Sequence, residues 1–108
     1  MNLKMRKQKD IIVIEKTVGR APRIRRIEND YIAIREYIGG TITALTIANQ
    51  VAIYCHDEAI LEGLPLNFLM EETPIFGNAL FIAVDKDGEN RDLTTSEIMP
   101  IMNSFIEL

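Results

Sequence analysis

The stretch VAIYCHDEAILEGLPLN, residues 51–67, sets a strand, a polar knuckle and a proline-ended arm side by side. Val51 to His56 reads as a strand. Val51, Ile53 and Cys55 point one way, and Ala52, Tyr54 and His56 the other. His56-Asp57-Glu58 then interrupts the apolar run. Asp57 to Asn67 is a connecting arm with an apolar interior of Ile60, Leu61, Leu64 and Leu66. Pro65 has no N–H to give, so the arm is not a central strand. The residue before it, Leu64, is steered toward extended backbone.

Upstream, Thr41 to Ala48 reads as a strand, Asn49-Gln50 as a turn, and Val51 to His56 as the antiparallel return. Asn29-Asp30 offers a helix N-cap. Tyr31, Ile34 and Ile38 follow at helical spacing, with Tyr37 beside them, and Gly39-Gly40 supplies a left-handed stop. Nearer the N-terminus, Ile11 to Ile14 is a buried strand, and Val18 to Pro22 turns the chain. Arg23 to Glu28 is a strand whose three arginines suit a sheet edge.

Downstream, Phe68 to Pro74 fits neither the helical nor the strand period. Asn78 to Val84, after Gly77, is apolar on both faces. This marks a central strand covered on both sides, or one that faces a second subunit. Asp85 to Asn90 makes a turn, and Arg91-Asp92-Leu93 a short return strand. Thr94 to Glu97 fits a capping box ahead of Ile98, Ile101, Met102, Phe105 and Ile106, with Pro100 sharpening the start of the helix or kinking it. The expected fold is therefore α+β: a single compact domain, mostly an antiparallel sheet of about 5–6 strands with two helices. It spans residues 11–108 behind a flexible basic tail at 1–10 that carries Lys4, Arg6, Lys7 and Lys9.

The totals narrow the function. A length of 108 residues makes one domain. Twelve Lys and Arg against 16 Asp and Glu give a net charge of −4, which argues against binding long nucleic acid. Cys55 is the one cysteine, so no internal disulfide forms, as in a reducing compartment. The apolar run Ile11 to Ile14 is too short for a signal peptide or a membrane span. A cytoplasmic protein with no membrane contact is expected.

Cys55-His56-Asp57 has the residue types of a catalytic set. On a strand, however, Cys55 and His56 face opposite sides, and no second histidine exists to act as base. One Cys and one His do not make a zinc site. The Asp85-x-Asp87-Gly88 turn places its glycine wrongly for a calcium loop. No enzyme, metal or cofactor is expected, and a hydrolase built on His56 ranks last among the readings. Gly39-Gly40 closes a helix instead of opening one, unlike a phosphate-binding glycine loop, but it lets a ligand approach the backbone closely. Arg23, Arg25 and Arg26 are either a solvated edge or a grip for an anion. Glu71-Glu72 and Asp85, Asp87, Glu89 and Asp92 concentrate negative charge in loops.

Four segments, Ile38-Gly39-Gly40-Thr41-Ile42, His56-Asp57-Glu58-Ala59, Gly63-Leu64-Pro65-Leu66-Asn67 and Ile75 to Leu80, together resemble a small domain of unknown function. That domain is widespread in phages, plasmids and integrative elements of Gram-positive bacteria. The resemblance spans about residues 11–105, and its most specific part is the glycine pair with the G-L-P-x-N element. It implies a mobile-element setting and no catalytic residue. Gly40, Gly63, Pro65, Asn67 and Gly77 carry over as motif positions only. The expectation that follows is a non-enzymatic, phage-type binding protein acting against host defence by sequestering a small anionic nucleotide signal. Its expected ligand-binding set is Arg23, Arg25, Gly39, Gly40, Thr41, His56, Asn67, Gly77 and Asn78. The alternative is an inhibitor or regulator of a host defence protein, acting through the acidic loops or an exposed strand. Self-association into a homodimer or larger assembly is expected from the doubly apolar strand at Asn78 to Val84.

Overall fold

The computed structural model describes residues 8–105. Residues 1–7, with most of the expected basic tail, and residues 106–108, with the Ile106 expected in the last helix, lie outside the described residues. Asp10 already belongs to the first strand. The described residues form eight strands and two helices in the order β1 (Asp10–Lys16), β2 (Arg23–Glu28), α1 (Tyr31–Ile38), β3 (Ile42–Ala48), β4 (Val51–His56), β5 (Leu66–Met70), β6 (Thr73–Phe76), β7 (Ala79–Val84), β8 (Asn90–Arg91) and α2 (Thr95–Ser104).

The main sheet is antiparallel, in the order β2-β1-β7-β4-β3, with β8 paired to β7. β2 and β3 are thus its two long edges. Apolar residues on both faces of β7 are explained by its central place, and Ala79, Leu80, Phe81, Ile82 and Ala83 are all buried within the one chain. Of the two readings of this strand, a central position covered on both sides is the one seen: α1 lies over one face, and α2 with a hairpin lies over the other.

Alternation sorts the side chains between these layers. Ile11, Val13, Leu80 and Ile82 pack under Ile34 and Ile38 of α1. Ile14, Ile53, Cys55, Ala79 and Phe81 face Ile75 of β6 and Ile101 of α2. An aromatic trio holds the second layer down. Phe68 of β5 stacks at 5.8 Å on Phe81, and Phe105 meets both rings edge-on, at 5.1 and 5.9 Å.

The segment Phe68 to Pro74, which has no clear period, is the β5–β6 hairpin. Its turn is Glu71-Glu72, and Glu71 takes a φ of 57° without being glycine or asparagine. The helix ends are as the caps predict. Asp30 accepts from the Ala33 N–H, Gly39 ends α1 at φ 98°, and Thr94 and Glu97 form a reciprocal capping box. Pro100 lies inside α2, which continues through it to Ser104.

Candidate functional site

The glycine turn and His56 form one unit under the end of α1. The left-handed residue is Gly39 alone; Gly40 is not in that region. Gly40 is small for a different reason. A Cβ placed on it would sit 2.6 Å from Cε1 and 2.7 Å from Nε2 of His56. His56 is at a strand end, as expected, but it is buried rather than at the surface, at 5% exposure. Its Nδ1 lies 3.2 Å from the Thr41 carbonyl oxygen and 3.2 Å from the Glu58 N–H. One ring nitrogen cannot donate to the first and accept from the second at once. When it accepts from Glu58, Nε2 carries the proton. Nε2 is buried, with Glu62 Oε1 3.1 Å away but off the direction of a directed hydrogen bond. The neighbouring Cys55 thiol is pushed up by burial and by the Asp57 charge, so it stays protonated.

Asn67 is a clamp. Its Nδ2 donates to the carbonyls of Lys16 and Gly77, each at 2.8 Å, and its Oδ1 accepts from Lys16 Nζ at 2.8 Å. Lys16 is 8% exposed, and Nζ also donates to the Thr17 carbonyl at 3.3 Å. Burial lowers its pKa. Gly77, at φ 78°, donates its N–H to the Pro65 carbonyl at 2.8 Å and would place a Cβ 2.9 Å from Leu64 Cδ1. Asn78 Oδ1 accepts from the Val18 N–H at 3.0 Å. The G-L-P-x-N element and Gly77-Asn78 therefore tie the arm and the hairpin to the end of β1.

Arg23 and Arg25 stand on the β2 edge. Arg25 pairs with Glu15 at 3.3 Å, and Arg23 is exposed. Beside them the Tyr37 hydroxyl and Thr17 Oγ1 are 2.7 Å apart, and burial raises the tyrosine pKa. Three strand spacings separate β2 from β4, about 14 Å. The nine expected binding residues thus fall in three places: the arginines on β2, the Gly39-Gly40-Thr41 turn with His56 under α1, and Asn67 with Gly77-Asn78 on the hairpin side. Both polar atoms of the Asn67 side chain and the Asn78 Oδ1 are occupied within the chain.

Open space lies instead along the opposite edge. β3, ITALTIA, carries no charged side chain, and its residues are partly or fully exposed. On the hairpin face, two grooves flank Leu45. One, of about 560 Å³, has Leu45, Ile47, Val51 and Ile53 as its floor and Met70 and Pro100 as walls. The other, about 140 Å³, lies beside Ile60, Leu61, Pro74 and Phe76. Both are lined by Leu45 and together make an apolar trough beside β3, and Leu61 in the lining of the second is 85% exposed. On the α1 face a third groove of about 440 Å³ is bounded by Ile42, Ala44, Tyr31, Tyr54 and Asn90. Tyr54 donates to Asn90 Oδ1 at 3.3 Å, and Asn90 in turn donates to Asn29 at 3.1 Å.

Nothing in the sequence alone marks these residues as a site. The one signal it carried was contrast: three arginines and a glutamate on β2, none on β3. That contrast gains meaning only once both strands are known to be edges.

The molecule is an α+β domain with a guarded edge and an open one. The family model described as a domain of unknown function, DUF3846, matches residues 6–106, so the chain belongs to that family. No curated protein and no solved structure matches it.

Proposed function

We propose that this domain is a non-enzymatic binding module that captures a polypeptide in extended form along β3. The observation that carries this reading is the difference between the two sheet edges. An open edge presents a row of unpaired N–H and C=O groups, and proteins commonly blunt it with charge. β2 is blunted in this way by Arg23, Arg25 and Arg26. β3 is not, and it runs beside an apolar trough. A strand laid on it gains backbone hydrogen bonds from β3 and side-chain pockets from the trough, the division of labour in strand addition.

This favours inhibition or regulation of a host protein over sequestration of a nucleotide, because the expected nucleotide-binding residues lie in three separate places and the Asn67 amide is bonded within the chain. The setting remains part of the proposal: a mobile element acting against defence, in the bacterial cytoplasm. It draws support from the motif resemblance and from a chain with a single, buried cysteine.

Tagged protein expressed in a bacterial host tests the reading. Leu45→Lys puts charge on the open edge, at a half-exposed position where folding should survive. It is expected to abolish co-purification of whatever protein the wild type retains, while Arg23→Ala/Arg25→Ala keeps it. The opposite pattern, with both variants folded, points to the β2 edge and defeats the proposal.

A further inference from the structure

The three grooves around β3 share one charge sign. Their linings include Asp57 and Glu58 near the start of β3, Glu71 and Glu97 near its end, and Glu89 on the α1 face. Among the described residues, no lysine or arginine lines any of the three. The nearby cation, Arg91, is held by Glu97 through paired hydrogen bonds of 3.0 and 2.9 Å. Among the described residues, the concentrated basic group is Arg23, Arg25 and Arg26 on β2, at the other edge of the sheet.

The two faces also differ in polarity. A strand added to β3 turns alternate side chains to opposite sides. One set meets Leu45, Ile53, Met70 and the exposed Ile60 and Leu61. The other set meets the hydroxyls of Tyr31 and Tyr54, Asn90 and Glu89.

Resting on the strand-capture reading above, we infer that the segment β3 takes up is an extended peptide, apolar at alternate positions and polar between them, with lysine or arginine at both ends. The apolar residues face the trough. The terminal cations meet Asp57 and Glu58 at one end and Glu71 at the other. A second copy of this chain is a poorer occupant. Antiparallel pairing of two β3 strands brings the Asp57-Glu58 end of one chain against the Glu71 end of its partner, acid against acid, in a protein of net charge −4.

Three fluorescein-labelled nine-residue peptides test this with the full chain. Each has a central Ile-Thr alternation; the first has two lysines at each end, the second two glutamates, and the third the lysines with a proline at the centre. Anisotropy is read in 50 mM and 500 mM salt. The lysine-ended peptide is expected to bind at least about tenfold more tightly than the glutamate-ended one at low salt, with the gap shrinking at high salt as end charges are screened. The proline peptide, lacking a donor and an extended centre, should bind weakly. Equal binding of the lysine- and glutamate-ended peptides, both lost in Leu45→Lys, overturns the charge inference and leaves strand capture standing. Binding of the lysine-ended peptide that is indifferent to Leu45→Lys and to the proline overturns both. So does no binding by any peptide. Sedimentation that shows a dimer broken by Leu45→Lys replaces the basic peptide with a second copy.

Discussion

Gly40→Ala should be far more damaging than its size suggests, and the cause is a ring rather than a dihedral. The added methyl would lie 2.6 and 2.7 Å from two atoms of His56, against an ordinary carbon contact of about 3.5–4.0 Å. About 1 Å of overlap must be relieved. His56 has little room to retreat: it is 5% exposed, and its Nδ1 lies 3.2 Å from the Glu58 N–H, from which it accepts when Nε2 carries the proton. Moving the ring by that distance breaks the Glu58 hydrogen bond. Overpacking costs about 1–3 kcal/mol, and the lost hydrogen bond about 1 more. A loss of about 2–4 kcal/mol is expected, or roughly 8–15 °C in melting midpoint for a domain of this length. Gly39→Ala is the control. Nothing lies within 4 Å of its added methyl, so only the left-handed backbone at φ 98° resists it, at about 1–2 kcal/mol. Urea unfolding of Gly40→Ala, His56→Ala and the double variant completes a cycle. Removing the ring should recover more than about 1 kcal/mol of the Gly40→Ala loss. A single variant within about 0.5 kcal/mol of wild type, or additivity within that margin, would refute the argument.

Two further outcomes follow from contacts elsewhere. Asn67→Ala takes the amide donor from the carbonyls of Lys16 and Gly77 and leaves Lys16 Nζ without its nearest acceptor, so urea unfolding should show a loss of about 2–4 kcal/mol, and one below about 1 contradicts the clamp. The Arg91 hydrogen bonds hold the Glu97 carboxyl down at about 2, from an ordinary 4.5, so its stabilisation is complete above pH 4.5 and is lost as pH falls toward 2. With partial exposure this is worth about 1–2 kcal/mol, and Glu97→Gln should flatten acid unfolding over that range; a variant as acid-sensitive as wild type would count against the pair.

Much of the fold was legible because its signals are local. Asp30 and Gly39 bound α1, the Thr94–Glu97 box opens α2, and the period of two in Val51 to His56 assigns its faces correctly. The β5–β6 hairpin was not legible, because its turn is Glu71-Glu72 and the strain at Glu71 is carried by the packing of Phe68 and Ile75 rather than by a turn residue. The strand order was equally hidden. Nothing in Ile42 to Ala48 says it is an edge until β4 is seen to pair with β7 on its other side. The expected site failed to gather for the same reason. Asn67 offers a donor and an acceptor, as its sequence chemistry promises, but Lys16, 51 residues away, takes up both.

Strand capture is tested most directly by the behaviour of β3 when a strand is offered to it. Residue-resolved hydrogen exchange of the full chain, with and without the lysine-ended peptide, measures this. The fast-exchanging amides between Ile42 and Ala48 should become protected while those of Arg23 to Glu28 stay unchanged. Protection that appears on β2, or binding that leaves every β3 amide exchanging at its free rate, would contradict it.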